Sequence, residues 1–170
     1  MTWNECLSLG KEYNTIIITG CQRTGTTYTA QELSKELGYR HYDEDDYGVH
    51  SIEGLRGIMD HDPSPKVIQA PALLHEMGSM GEDVLVILMT RNEDEVVSSM
   101  VKHEWIKREG KREYNKFKEG TPTDGYEIYR TKTSFGRGLN LPEMDYSELR
   151  KTKGYIENRE GFDIKQTKRG

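Results

Sequence analysis

The chain has 170 residues, a length that suits one α/β domain, with 34% hydrophobic and 31% charged residues. Two cysteines, Cys6 and Cys21, are too few for a disulfide framework, and no apolar run approaches the ~20 residues of a membrane helix. Residues Met1–Gly10 lack the apolar core of a signal peptide. We therefore expect a cytoplasmic protein with no membrane partner.

The net charge of −5 is unevenly distributed along the chain. Residues 1–100 contain 7 Lys and Arg against 17 Asp and Glu, whereas residues 101–170 contain 17 against 12. A basic second part is typical either of solvated helix faces or of a surface that meets an anionic ligand. We expect no nucleic-acid partner, because no basic motif is interleaved with aromatic residues.

The first predicted unit is a strand, a turn and a helix. Residues Thr15–Thr19 form a β-branched run that stops at Gly20, which is typical of a buried strand. Apolar residues then recur at helical spacing, and Gly38 is expected to end that helix. These apolar residues are Ala30, Leu33 and Leu37.

Further strands and helices are predicted to alternate. Strands are expected over Tyr39–Tyr42, Lys66–Ala70 and Asp83–Met89, and Pro71 should open a helix over Leu73–Met80. The helix after the last of these strands has an apolar face made of Val96, Val97, Met100, Val101 and Trp105. Alternating strands and helices require crossover connections. They predict one domain over residues 1–170, a three-layer α/β/α fold with a central parallel sheet.

The rest of the chain has few residues that could form a core. We predict a basic helix extension after Lys107, then a mobile loop around Glu119–Gly125 and Phe135–Gly138. Residues Met144–Leu149 are expected to form a short strand or turn, and Tyr155–Lys165 a helix that leads into a basic tail.

The segment between the first strand and its helix has the pattern of a phosphate-binding loop. Gly20 and Gly25 have the spacing G-x-x-x-x-G, and backbone N–H groups at a helix start attract anions. A nucleotide triphosphatase would need lysine where this chain has Thr26. It would also need a strand-end aspartate for magnesium, whereas two downstream strands end at Ala70 and Arg91. We therefore expect an anion site that holds no metal ion and does not hydrolyse ATP.

Arg23 supplies a cation inside this loop, and the run R-T-G-T-T from Arg23 to Thr27 resembles the 5′-phosphosulfate loop of PAPS-dependent sulfotransferases. The family pattern is P-K/R-S/T-G-S/T-T, and Gln22 stands in place of its proline. The resemblance implies a P-loop-type fold, PAPS as donor and PAP as product. It makes Arg23 the catalytic cation, which also contacts the cofactor. Four more residues are then implied as 5′-phosphosulfate contacts: Thr24, Gly25, Thr26 and Thr27.

A second motif resembles the 3′-phosphate site of the same family, in which an arginine at a strand end is followed eight residues later by a serine. Arg91 and Ser99 have this spacing, with Ser98 as the alternative in register. Asn92 and Asp94 are similar to the family's R-N-P-x-D opening, although the proline is replaced. The resemblance implies that Arg91 and Ser99 bind the 3′-phosphate of the cofactor.

The C-terminal part resembles the family more loosely. Residues Tyr146–Leu149 read Y-S-E-L, similar to the family's Y-E-D-L. Arg159, Gly161 and Lys165 partly match a later family loop, R-K-G-x-x-G-D-W-K. The match implies that Arg159 and Lys165 contact the cofactor; the alternative is a frayed basic tail.

A sulfotransferase also needs a base that takes a proton from the acceptor. Some members of the family use a histidine after the third strand, where this chain has Ala70 and Pro71; His75 follows one turn later, on a helix surface. Others use a glutamate after the second strand. We predict Glu44 as the base, with Asp43 and His41 as alternatives.

The predicted activity is therefore transfer of a sulfuryl group from PAPS to a hydroxyl or amine of a small-molecule or glycan acceptor. Two alternatives stay open. One is a divergent P-loop nucleotide or metabolite kinase, against which the absence of a lysine at position 26 argues. The other is a non-catalytic module that binds PAP or another nucleotide. Cys21 is interpreted as a packing residue of the loop, and not as a nucleophile.

Overall fold

The computed structural model describes residues 1–102 and 125–153. Its strands are β1 (Thr15–Gly20), β2 (Arg40–Tyr42), β3 (Lys66–Gln69), β4 (Val84–Thr90) and β5 (Glu143–Asp145). They form one parallel sheet in the order β2–β3–β1–β4–β5. In this register Ile17 of β1 lies opposite Ile68 of β3 and Val86 of β4, so β1 is the central strand.

Helices precede, connect and follow these strands. They are α1 (Trp3–Gly10), α2 (Thr26–Leu37), α3 (Glu44–Tyr47), α4 (Ile52–His61), a 3₁₀ helix (Pro71–Ser79), α5 (Glu93–Lys102), α6 (Gly125–Gly138) and α7 (Tyr146–Lys153). No helix in the parts of the chain described is both long and apolar enough to cross a membrane.

The central strand is buried on both faces because helices cover both sides of the sheet. Ile16 and Ile18 belong to a cluster with residues of α1, α2 and α7, whereas Ile17 packs with Leu55 of α4 and Leu73 of the 3₁₀ helix. All three isoleucines are fully buried, and each such burial contributes about 1.5–3 kcal/mol. The three-layer α/β/α arrangement around a parallel sheet is confirmed.

Helices α1 and α4 were not predicted, and neither was the short helix α3. Helix α1 begins with a capping box, in which Thr2 Oγ1 accepts from the N–H of Glu5 and the Glu5 carboxylate accepts from the N–H of Thr2. Helix α4 begins at Ser51, whose hydroxyl accepts from the N–H of Gly54. Helix α1 extends the cover of one face of the sheet, and α4 extends that of the other.

The prediction of a mobile loop at Phe135–Gly138 is wrong, because these residues form the last turn of α6. The buried face of α6 is mostly small or polar, with Lys132, Thr133 and Gly136 facing inward, so it lacks an apolar pattern. A Cβ at Gly136 would lie only 2.7 Å from Leu88 Cδ1, so the helix backbone lies close against β4.

The segment from Met144 to Leu149 also differs from its prediction. Helix α7 begins at Tyr146, directly after β5, although a strand or turn was expected as far as Leu149. Other expectations fall outside the described residues: the extension after Lys107 with Trp105, most of the loop at Glu119–Gly125, and the helix Tyr155–Lys165.

Candidate functional site

The loop between β1 and α2 has the backbone geometry of an anion cradle. Gly20, Arg23 and Gly25 have φ values of 139°, 69° and 88°, so three of the six residues from Gly20 to Gly25 have positive φ. The hydroxyl of Thr24 donates to the carbonyl oxygen of Cys21 at 2.6 Å, which closes the loop. Gly25 is the N-cap of α2 and has no side chain to accept from the first N–H groups of the helix. These N–H groups and the helix dipole therefore favour an anion at this end.

The two predicted anion-binding motifs meet at this loop. Arg23 Nε donates to Ser99 Oγ of α5 at 2.7 Å. Arg91 follows β4, the neighbour of β1, and its Nη1 donates to the carbonyl oxygen of Arg23 at 3.1 Å. The hydroxyl of Tyr129 accepts from the N–H of Arg91 at 3.1 Å and donates to its carbonyl at 2.8 Å. The structure thus places Arg23, Arg91 and Ser99 together, and Tyr129 of α6 fixes the backbone at Arg91.

Beside Arg91 lies a group of charged and aromatic side chains from α5 and α7. Glu95 accepts from Arg91 Nε at 3.0 Å and from Arg150 Nη1 at 2.7 Å. The guanidinium carbons of Arg91 and Arg150 lie 4.7 and 5.4 Å from the ring centroid of Tyr146. The hydrogen bond from Arg150, and then that from Arg91, lowers the pKa of Glu95 despite partial burial. Glu95 is therefore ionised at neutral pH. We call Arg91, Glu95, Tyr146 and Arg150 the arginine cluster.

Tyr146 also packs against the phosphate loop. A Cβ at Gly25 would lie 1.9 Å from two ring carbons of Tyr146, and the φ of Gly25 is one that residues with a side chain rarely adopt. The glycine at this position thus serves two purposes, since it permits the turn and leaves room for the ring. The Y-S-E-L motif contributes its tyrosine to the wall of the cradle.

Replacing Gly25 by alanine should destabilise the fold strongly, because the change strains the backbone and displaces the ring of Tyr146. We expect a loss of at least about 2 kcal/mol, which for a chain of this size lowers Tm by roughly 4–8 °C. Thermal unfolding measures it. Gly57→Ala is the matched control, because its Cβ meets nothing within 4 Å inside α4. That variant should be unchanged or slightly more stable. Equal Tm values for the two variants would contradict the packing of Tyr146 on Gly25.

Two further residues contact the cradle and were not predicted. Gln69, the last residue of β3, donates through Nε2 to the hydroxyls of Thr26, at 3.3 Å, and Thr27. Lys132 of α6 is 1% exposed, and its Nζ donates to Gln22 Oε1 at 2.6 Å. The position of Gln69 at a strand end was a usable signal. A single lysine in a polar helix gives no such signal. Cys21 is buried with Val96 and Met100, as a packing residue would be.

Glu44 begins the short helix α3, which follows β2 at the carboxyl edge of the sheet. Its Oε2 accepts from the N–H of Ala72 at 3.4 Å, just after β3. The hydroxyl of Tyr47, on the same helix, donates to the carbonyl of Gln69 at 2.6 Å. Because the amide of Gln69 contacts Thr26 and Thr27, α3 is linked to the start of α2 through this one residue.

The other candidates for the base have different surroundings. Asp43 and Asp46 form a capping box, in which each carboxylate accepts from a backbone N–H of the same turn, at 2.9 and 2.8 Å. His41 is half-buried in β2. His75 lies in the 3₁₀ helix, with Nε2 3.5 Å from Glu76 Oε1. The cofactor contacts predicted at Arg159 and Lys165 lie outside the described residues.

Comparison with known proteins gives a fold and no family. The sequence matches no protein-family model, and no curated protein matches it significantly. Its structure is similar to shikimate kinase from Acinetobacter baumannii in complex with shikimate, at 10% identity and TM-score 0.51, over 91% of this chain and 99% of that one. It is also similar to mouse sulfotransferase SULT7A1 complexed with PAP, at 12% identity and TM-score 0.48, over 96% of this chain and 64% of that one.

A gluconokinase from Sinorhizobium meliloti 1021 is a third structural neighbour, at 14% identity and TM-score 0.42, over 77% of this chain and 81% of that one. The chain has a P-loop-type α/β fold, as predicted. Proteins of different activity share this fold, so the activity must be argued from the site.

Proposed function

We propose that the protein is a PAPS-dependent sulfotransferase that acts on a hydroxyl or amine of a small-molecule or glycan acceptor. The observation that carries this proposal is the contact between the two anion-binding motifs. Arg23 Nε lies 2.7 Å from Ser99 Oγ, and Arg91 reaches the backbone of Arg23 across a sequence separation of 68 residues. A donor with anionic groups at both its 5′ and 3′ positions requires two such cationic sites close together.

The residues present suit that donor. The open N–H groups at the start of α2, with the guanidinium of Arg23, form a site for the 5′-phosphosulfate. Arg91 and Ser99 form the neighbouring site for the 3′-phosphate. PAPS, when bound, supplies the sulfuryl group, and PAP leaves. Arg23 neutralises charge on the 5′-phosphate as this group leaves, and Glu44 accepts the proton of the acceptor.

A P-loop kinase is the second candidate, and Lys132 is the observation that favours it. Kinases of this fold place a lysine ammonium at the transferred phosphate. Position 26 holds a threonine, but the ammonium of Lys132 contacts Gln22 inside the loop. Lys132 could therefore supply the missing cation from α6. Against this candidate, β3 ends in Gln69 and not in an aspartate that could hold magnesium. The amide of Gln69 donates to the hydroxyls of Thr26 and Thr27.

The two candidates differ in the nucleotide that should stabilise the fold. At one hundred times its Kd, PAP should add about 2.7 kcal/mol and raise Tm by roughly 5–10 °C, with EDTA present. ATP with magnesium should raise Tm much less. Thermal unfolding with each nucleotide is the measurement, and adenosine 5′-monophosphate controls for binding of the nucleoside and 5′-phosphate alone. Equal shifts from PAP and ATP, or a strict need for magnesium, would contradict the proposal and favour the kinase.

A further inference from the structure

Two arginines of the arginine cluster share one carboxylate beside the phosphate loop. Glu95 accepts from Arg91 at 3.0 Å through Oε2 and from Arg150 at 2.7 Å through Oε1. The guanidinium carbons of Arg91 and Arg150 lie 4.7 and 5.4 Å from the ring centroid of Tyr146. Both guanidinium groups therefore interact with the same aromatic ring as well as with the same carboxylate. The side chains of Arg91, Arg150 and Glu95 are 19%, 25% and 37% exposed, so all three are partly open to solvent.

We propose that Arg150 is a second arginine of the 3′-phosphate site, and that Glu95 occupies the place of this phosphate until a nucleotide displaces it. The inference rests on the proposed function, because it takes Arg91 as a 3′-phosphate ligand. The ligand class is a nucleotide with a phosphomonoester on its ribose.

The chemistry of the cluster supports this exchange. A guanidinium presents parallel donors that match two oxygens of a carboxylate or of a phosphate. A phosphomonoester has three free oxygens and carries close to two negative charges near neutral pH, so it can accept from both arginines at once. The Glu95 carboxylate thus accepts from the same two arginines as the phosphate would, but with fewer oxygens and less charge.

The backbone of α5 does not depend on the Glu95 carboxylate. The N–H of Glu95 donates to Asn92 Oδ1 at 3.2 Å, and the N–H of Val96 donates to the carbonyl of Asn92 at 3.1 Å. Asn92 therefore caps the helix. The carboxylate can leave the arginines without unwinding the first turn of α5, and Glu95→Gln should keep the fold.

A purely structural role for the cluster is the competing account, in which Glu95 holds α5 and α7 together. The two accounts give opposite signs for Glu95→Gln. As a competitor of phosphate, Glu95 weakens nucleotide binding, so its neutral amide should strengthen binding. As a structural link, it supports the site, so its loss should leave binding unchanged or weaken it.

Isothermal titration with PAP and with adenosine 5′-monophosphate separates these accounts. We expect Arg150→Ala to weaken PAP binding roughly tenfold to a hundredfold and to leave binding of the monophosphate nearly unchanged. Glu95→Gln should strengthen PAP binding about two- to fivefold, again without affecting the monophosphate. Arg150→Lys keeps the charge without the paired donors and should fall between wild type and Arg150→Ala.

Lys151→Ala is the matched control, since Lys151 is exposed and pairs with Glu148 on the same helix. It should leave PAP binding unchanged. The inference is overturned if Arg150→Ala weakens both nucleotides equally, or if Glu95→Gln fails to strengthen PAP binding. Failure of the proposed function has a different signature: the wild-type protein itself would then bind PAP no more tightly than the monophosphate.

Discussion

Replacing Arg23 by alanine is expected to reduce the rate of sulfuryl transfer by about 10²–10³-fold, the usual cost of removing one group that stabilises charge in a transition state. PAP binding should weaken much less, because the helix N-terminus and Arg91 still hold the phosphates. The structure gives Arg23 a left-handed backbone conformation and a hydrogen bond from Nε to Ser99. This bond ties its guanidinium to α5 and does not involve the first turn of α2.

Steady-state kinetics and titration with PAP together test this expectation. Arg40→Ala is a suitable control, since Arg40 is an exposed arginine in the edge strand β2, paired with Asp62 at 3.4 Å. It should change neither quantity. Ser99→Ala removes the contact with Arg23 Nε and should cause a smaller loss of rate than Arg23→Ala. If Arg23→Ala lowers PAP affinity by the same factor as the rate, Arg23 only binds the nucleotide and has no part in the transition state.

Glu44→Gln should lower the rate by about 10²–10⁴-fold, the range associated with loss of a general base. Glutamine keeps the size of the side chain and can still accept from the N–H of Ala72, but it cannot take a proton. Affinity for PAP should therefore hardly change. The rate of transfer and PAP titration are again the two measurements.

The structure supplies matched controls for Glu44. Asp43→Asn should keep the N-cap of α3, because asparagine caps helices as well as aspartate does. Asp46→Asn tests the second acid of the same capping box, and His41→Ala tests the histidine of β2. A wild-type rate in Glu44→Gln beside an inactive neighbour would assign the base to that neighbour. Wild-type rates in all four variants would place the base elsewhere, with His75 or the acceptor itself as the next candidate.

The central strands β1 and β4 could be predicted from the sequence because burial on both faces leaves a continuous apolar signal. Residues Thr15–Thr19 and Asp83–Met89 were each placed within one residue of the bounds of β1 and β4. Helix α6 could not be predicted in this way, since it packs through Lys132 and Gly136. Helix α1 had a usable signal, the T-x-x-E capping box at Thr2, that the apolar pattern did not reveal.

Some residues of the candidate site could likewise be predicted from the sequence, and others could not. The motifs that contain Arg23, Arg91 and Ser99 are local in sequence, so their positions could be predicted, and the strand order then brings them together. Arg150 and Lys132 contact the site from helices after β4, through packing between elements that no spacing in the sequence encodes. Position in the fold identifies such residues, and motif spacing does not.

The measurement that tests the central claim most directly is transfer of radiolabelled sulfate from PAPS into a pooled metabolite extract, with EDTA present. Wild-type protein should produce a labelled acceptor and one PAP for each sulfate transferred, whereas Arg23→Ala should produce about 10²–10³-fold less in the same time. In a parallel reaction without EDTA, transfer of labelled phosphate from γ-labelled ATP with magnesium, together with no sulfate transfer from PAPS, would contradict the claim in favour of a kinase. PAP binding without transfer from either donor would contradict it in favour of a non-catalytic nucleotide-binding module.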